Sequence, residues 1–439
     1  MLSRLDLHIL KDLPFLLNKK LLLAISGGVD SIVMLYLLHN LKLDISIAHC
    51  NFQLRGKESD EDENFIKNVA SELQIPIYIQ SFETEKYAKE KQLSIQMAAR
   101  ELRYNWFQEI AESEEFSYIL TAHHLDDVLE TFLINFTRGT GLEGLTGIPE
   151  INENIVRPLL PFSREEILKY AKENKIEWRE DKSNASTKYF RNKIRHQIVP
   201  ILKELNPNLL DSFQNTIDHL NNSEHIILNE IENLKKETFE YEDDYIKIEI
   251  QKLLSISNVK SYLYYLLKEF GFTSWDDVFD LLTAQSGKQI FSKTHRLIKD
   301  REYLLLISIQ KEQETPNPII LISESDVSID FPIRLIIDTF SEKKLINTPQ
   351  EILVDKDLLK FPLTLRLWKE GDYFCPIGMG GKKKLSKYFK DEKFSILEKE
   401  RTYVLCSDEA IVWIVGKRMD RRFQTTKLTT NFLKIKLNK

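Results

Sequence analysis

The sequence predicts an α/β protein with a parallel-sheet N-terminal domain, a mainly helical middle domain and a small strand-rich C-terminal domain. Three observations predict it. The first half alternates short apolar or β-branched runs with helical periods, the pattern of strands joined by right-handed crossover helices. From about Leu209 to Phe270 the helical period dominates. The last ~80 residues mix Val, Ile, Tyr and Trp runs with turns. A chain of 439 residues exceeds one ordinary core. The expected boundaries are 1–215, 216–345 and 346–439.

Taken in order, Leu21 to Ser26 is an apolar run that ends in a Gly-Gly turn, hence a buried strand. Ser31 to Leu41 reads as a helix that is apolar almost all round. Asp44 to Cys50 is a second strand, Glu58 to Leu73 an acidic helix and Ile75 to Phe82 a third strand. Gln96 to Ala111 is a helix, and Phe116 to His123 a fourth strand that leads into the helix Asp126 to Thr137. Gly139 to Pro149 is glycine-rich and reads as a mobile loop. Ser163-Arg164-Glu165-Glu166 is a capping box that opens a further helix. Tyr241 to Ile250 is charged and extended, Ser274 to Ala284 is a capped helix, and strands follow Lys288. Pro316 and Pro318 mark a linker.

Composition narrows the class. The chain is 42% hydrophobic and 29% charged, the balance of a folded, water-soluble protein. No apolar run approaches the ~20 residues of a membrane span, so no membrane partner is expected. Asp6, His8, Lys11 and Asp12 interrupt the N-terminal leucines, unlike a secretory leader. Cys50, Cys375 and Cys406 are too few and too far apart for a disulfide framework or a zinc knuckle. A cytoplasmic setting is expected. The net charge of −6 conceals an asymmetry: the stretch from Leu363 to Lys439 carries about +9 and the rest about −15. A basic tail on an acidic body is a footprint for a polyanion or a merely lysine-rich surface.

Ser26-Gly27-Gly28-Val29-Asp30-Ser31 follows a strand and opens a helix. Glycines let the backbone turn sharply and approach an anion. A helix N-terminus with unpaired N–H groups attracts phosphate, and Ser26 and Ser31 add hydroxyls. Asp30 would repel phosphate unless Mg²⁺ lies between them. The Gly-Lys-Ser end of a Walker A loop is missing. The turn resembles instead the PP-loop of the ATP pyrophosphatases, which implies a Rossmann-like domain that splits ATP to AMP and pyrophosphate.

A second constellation, His123-His124-Leu125-Asp126-Asp127-Val128-Leu129-Glu130-Thr131, lies at the end of the predicted fourth strand. Asp127 and Glu130 are three apart on a helix and share a face. They suit Mg²⁺ or a cationic substrate, or they compensate the helix dipole. The two motifs together resemble the tRNA(Ile)-lysidine synthetases, with Val128 where that family usually has Gln. Asn51-Phe52-Gln53-Leu54-Arg55-Gly56, Ala98-Ala99-Arg100-Glu101-Leu102-Arg103-Tyr104 and Arg191-Asn192-Lys193-Ile194-Arg195 follow in the family's order. Gly371-Asp372-Tyr373-Phe374-Cys375-Pro376-Ile377-Gly378-Met379 and Lys383-Lys384-Leu385-Ser386-Lys387-Tyr388-Phe389 resemble its C-terminal domain.

The resemblance implies that ATP, Mg²⁺, L-lysine and the isoleucine tRNA with a CAU anticodon meet in one site. Residues 26–31 would bind ATP, with Asp30 on the metal. Asp127, Glu130 and Arg195 join Asp30 as catalytic candidates. His123, His124, Asp126, Arg55, Arg100, Arg103 and Arg191 are candidates for lysine or tRNA. So are Lys383, Lys384, Lys387, Arg421 and Arg422 in the basic tail. Tyr388, Phe389 and Phe423 suit a core better than base stacking. The oligomeric state is open, a homodimer being one form it could take. A tRNA thiolase would bring paired cysteines, and an amide-forming relative a glutamine-hydrolysing domain; neither is present in the sequence. A non-catalytic tRNA-binding protein is the reading from a different class.

Overall fold

The computed structural model describes residues 1–179, 190–310, 318–340, 348–378 and 380–438. Pro316 of the expected linker and Met379 of the C-terminal motif lie outside them. The chain forms two compact units, Met1–Ile227 and Leu228–Lys439.

The first unit is built on helix α1 (Leu2–Asp12), β1 (Leu21–Ala24), α2 (Val29–Asn40), β2 (Ile45–Asn51), α3 (Lys57–Leu73) and β3 (Ile77–Ser81). There follow α4 (Thr84–Lys91), α5 (Ile95–Ser113), β4 (Tyr118–Leu120), α6 (Leu125–Arg138), α7 (Leu142–Leu145), β5 (Ile151–Asn152), β6 (Ile155–Val156) and α8 (Arg164–Glu173). Leu21, Leu22 and Leu23 are wholly buried because helices cover both faces of the sheet. Helix α2 buries Ile32, Val33, Met34, Leu35, Leu37 and Leu38, which explains its lack of a polar stripe.

The sheet order is β3-β2-β1-β4-β6-β5. Every pair is parallel except β5 with β6. The chain leaves β1 toward β2 and β3, then returns to add β4 and β6 on the other side. The order therefore reverses between β1 and β4, and ligands of such sheets bind in the crevice beyond the strand ends at that point. Residues 25–28 leave β1 there, and residues 121–124 leave β4 beside them.

The segment expected as a mobile loop carries the single turn α7 and is tied to α6 by Asn135 Nδ2, which donates to the Gly144 carbonyl at 2.9 Å. Gly147 has φ +81, and a β-carbon there would lie 2.6 Å from Val128 Cγ1. After the undescribed stretch come α9 (Phe190–Lys193), a π-helical turn (Ile194–Ile198), α10 (Val199–Leu205) and the long α11 (Leu209–Thr238). Pro200 sits in the first turn of α10, where its missing N–H costs nothing.

The second unit opens with a five-stranded antiparallel sheet of β7 (Phe239–Tyr241), β8 (Tyr245–Glu249), β9 (Gln289–Phe291), β10 (His295–Asp300) and β11 (Tyr303–Ser308). Short helices Ile250–Leu254, Val259–Leu267 and Trp275–Leu281 lie between β8 and β9. The middle of the chain is thus helical with one sheet of its own, and the charged 241–250 segment supplies β8 and the last residue of β7. The C-terminal part holds two four-stranded sheets and a small hairpin. Tyr388, Phe389 and Phe423 are buried, as the sequence suggested.

Candidate active site

The turn after β1 is fixed by its own side chains. Ser31 is buried at the start of α2, and its Oγ donates to the Gly28 carbonyl at 3.0 Å while accepting the Ser26 N–H at 3.2 Å. Ser26 Oγ lies 3.2 Å from Ser31 Oγ, and the Gly28 N–H donates to it at 3.4 Å. Ser31 therefore staples the turn, whereas Ser26 is exposed toward the crevice. Gly27 has φ +91, a conformation other residues adopt only with strain. Arg179 donates its backbone N–H to the Gly27 carbonyl at 3.0 Å, and its guanidinium pairs with Asp62 and Glu61. Behind the turn, His49 is buried and lies 2.9 Å from the Ile25 carbonyl through Nδ1. Burial lowers its pKa, so the neutral ring donates from Nδ1.

Asp30 stands one residue into α2 beyond this turn. Its Oδ1 is buried without a hydrogen-bond partner among the described residues, and Oδ2 lies 3.7 Å from His124 Nε2. Burial raises its pKa, and the neighbouring Asp127 adds to that rise. A carboxylate in this state accepts a cation readily.

His124, 2% exposed, ends the segment after β4, and its Nε2 lies 3.4 Å from Asp127 Oδ2. It stands between Asp30 and Asp127 and so joins the two motifs into one site. The Asp127 carboxylate accepts the His124 backbone N–H at 3.1 Å, which caps α6. Burial works against its charge, yet His124, His123, Arg191 and Arg195 hold its pKa below the usual value. His123 lies 2.9 Å from Thr121 Oγ1 through Nδ1, and burial pushes its pKa down to about 4.

Glu130, one turn on and 2% exposed, accepts from Arg191 Nε at 2.9 Å and from Arg195 NH2 at 2.9 Å, with Arg195 Nε as a third donor. Arg195 NH2 also reaches Asp127 Oδ1 at 2.9 Å. Two acids and two arginines thus form a neutral quartet. The arginines come from α9 and from the π-helical turn, a distortion often found where a side chain must be aimed at a site.

The remaining candidates are dispersed. Asp126 faces away from this quartet: it accepts the Arg164 backbone N–H at 2.8 Å, at the start of α8, and pairs with Lys203 at 2.6 Å. Arg55 pairs with Asp62 at 2.9 Å. Arg100 and Arg103 are exposed and lie over Tyr104 and Phe52, at 4.7 and 5.2 Å. In the second unit Lys383 pairs with Asp391 at 2.9 Å and Arg422 with the wholly buried Asp420 at 2.8 Å. Lys384, Lys387 and Arg421 are exposed.

Sequence reasoning missed His49, Arg179 and Arg157. Arg157 is 6% exposed at the carboxyl end of β6 and donates to the Pro149 carbonyl at 2.7 Å. A histidine inside an apolar strand was a usable signal for His49. Arg179 and Arg157 carry none, since the fold alone brings Arg179 to Gly27, Asp62 and Glu61 and Arg157 to the Pro149 carbonyl.

Three family profiles match the chain: the PP-loop domain over residues 4–202, the TilS substrate binding domain over 240–321 and the TilS substrate C-terminal domain over 363–435. The tRNA(Ile)-lysidine synthase of Parabacteroides distasonis is 42% identical over 421 residues, covering 95% of each chain. That of Bacteroides thetaiotaomicron is 41% identical over 98% of each chain, and that of Clostridium tetani 30% identical over 96% of this chain and 95% of its own. With the Gly-Gly turn and the acid–arginine quartet joined at one crevice, and with such relatives matched over 95% or more of its length, the chain belongs to the tRNA(Ile)-lysidine synthase family.

Proposed function

We propose that the protein ligates lysine to C2 of the wobble cytidine of the CAU-anticodon isoleucine tRNA, with ATP as the activating substrate. The cytidine 2-oxygen attacks the α-phosphate of ATP and pyrophosphate leaves. The ε-amine of lysine then displaces AMP. The observation that carries this reading is the position of His124, within 3.7 Å of Asp30 and 3.4 Å of Asp127. It makes a polyphosphate site and a cation site neighbours, as a two-step transfer requires.

The turn at residues 26–31 offers its backbone to the polyphosphate. Asp30, with its buried unpartnered oxygen, would hold Mg²⁺. When bound, that ion supplies charge neutralisation for the leaving pyrophosphate. Arg195 or Arg191 would stabilise charge on the α-phosphate. Each arginine that turns to phosphate releases an oxygen of Asp127 or Glu130. That oxygen is then open to the lysine ammonium. Only about one free lysine in 2,500 is a neutral nucleophile at pH 7, so the site must bind the cation before it takes a proton. The same exchange keeps the acids neutralised until the nucleotide is in place.

Residues 346–439 contribute a basic surface for the tRNA body, with Lys384, Lys387 and Arg421 exposed on it. Residues 216–345 would contribute to binding of the tRNA substrate, and residues 1–215 carry the catalytic groups. No helix among the described residues is long and apolar enough to cross a membrane. The decisive test is mass analysis of the tRNA after incubation with ATP, Mg²⁺ and lysine. One lysine-sized addition on a single cytidine, dependent on each component, is expected. Pyrophosphate release with no such addition would sink the assignment.

A further inference from the structure

The helix that carries Asp127 and Glu130 also determines what lies along its face. Residues at spacings of four, seven and eleven share one stripe of an α-helix, so Asp127, Thr131, Ile134 and Arg138 are aligned on α6. Arg138 is about 16 Å from Asp127 along the axis, and its guanidinium carbon stands 5.9 Å from the centroid of the Phe190 ring. Phe190 is 47% exposed and immediately precedes Arg191, whose guanidinium reaches Glu130. The surroundings are cationic. Thr131 to Arg138 and Phe190 to Lys203 contain no Asp or Glu, and Arg138 and Lys193 are exposed.

An exposed phenylalanine with the Arg138 guanidinium at its ring, covalently next to an arginine of the candidate site, presents a flat apolar face edged by positive charge. A large apolar ring gains from covering, and an acid-free stretch gains from a polyanion. Unpaired RNA supplies both, because its bases present flat apolar faces and its backbone presents phosphates. We propose that Phe190, with Arg138 and Lys193, is a stacking platform for an unpaired base next to the one that reacts, and so positions the anticodon loop. This rests on the function proposed above and names a residue that serves it. Phe190 touches no reacting atom; it is a positioning residue.

A second phenylalanine provides the control. Phe136 is 64% exposed on the same helix but lies nine residues from Asp127, which turns it to the opposite face. Its ring stacks on Phe132, 6.2 Å away, and Phe132 packs edge-on against Phe213 of α11. General loss of surface apolarity affects both phenylalanines; loss of a base contact affects Phe190 alone.

The test uses the full chain and a stem-loop RNA with the CAU anticodon, alongside a fully paired RNA of equal length. Phe190→Ala should weaken stem-loop binding about 5- to 160-fold, the range for one stacked base, and raise the KM for tRNA while the KM values for ATP and lysine hold. Phe136→Ala should change neither. Phe190→Trp should restore affinity and show tryptophan quenching by the stem-loop, whereas Phe190→Leu should not restore it. Equal affinities for the Trp and Leu variants would overturn the platform even if the alanine variant fails to fold. So would an equal loss toward the paired RNA, or a change in oligomeric state in place of one in RNA affinity. A wild-type enzyme that makes no lysine adduct refutes the function instead, and leaves the stacking measurement readable on its own.

Discussion

Asp30→Asn should stabilise the first unit and abolish its chemistry. The wild-type carboxylate has Oδ1 buried with no partner among the described residues and Oδ2 beyond hydrogen-bond reach of His124. An unsatisfied buried acceptor costs about 1–3 kcal/mol. The amide has the same size but no charge, and it still leaves one polar atom unpaired, so a net gain of roughly 1 kcal/mol is expected. For a unit of this size that raises the melting temperature by about 2–4 °C. The sign follows from the direction of the shift. Folding raises the Asp30 pKa above its ordinary value of 3.8, chiefly through burial. Its penalty is therefore absent below about pH 4 and develops as pH rises through the folded-state value. Calorimetry should find the variant more stable at pH 7.5 and equal to wild type near pH 4. Pyrophosphate release should fall at least about a hundredfold, as when an electrostatic stabiliser of a transition state is removed. A variant less stable than wild type at pH 7.5, or a stability difference independent of pH, would refute the view that this carboxylate is held ready for a cation.

Two further expectations concern its neighbours. Asp126→Ala removes the acceptor for the first amide of α8 and for Lys203, so it should destabilise the unit by about 2 kcal/mol. Lys203 is 37% exposed, so its share is reduced by solvent screening; a loss below about 0.5 kcal/mol in urea unfolding would contradict the anchoring role. His123 should titrate near pH 4 in the folded protein, because burial excludes its charge. Stability should then decline as pH falls from 6.5 toward 4, and a ring-carbon NMR midpoint near 6.5 would disprove the burial.

Much of the site was legible because it is local. The run Leu21–Ala24, the Gly-Gly turn and the capped helix after it depend on short-range rules, and the structure follows them. The three-residue spacing of Asp127 and Glu130 likewise implied a shared face. What escaped depends on distant chain. Motif order placed Arg191 and Arg195 in the site, but not their pairing with those acids, 61 to 68 residues away. Asp126 looks like Asp127 in sequence, but the helix turns it to Arg164 and Lys203 instead. Lys383 and Arg422 counted as free positive charge until Asp391 and Asp420 came beside them. The extended 241–250 segment and the strands after Lys288 were legible from alternation such as that of β8, but their joining into one five-stranded sheet was not, because β8 and β11 pair across more than 50 residues.

Val128 occupies the position where an amide was expected from the family pattern, and it is 4% exposed against Gly147. With the methyl of one and the missing side chain of the other filling the same few cubic ångströms, neither site can evolve independently. A lineage that enlarges residue 128 must first shift the backbone around 147, and one that replaces the glycine must first trim the valine. Across a broad set of homologues the two columns should therefore vary together, an inheritance pattern set by volume with no direct part in the chemistry.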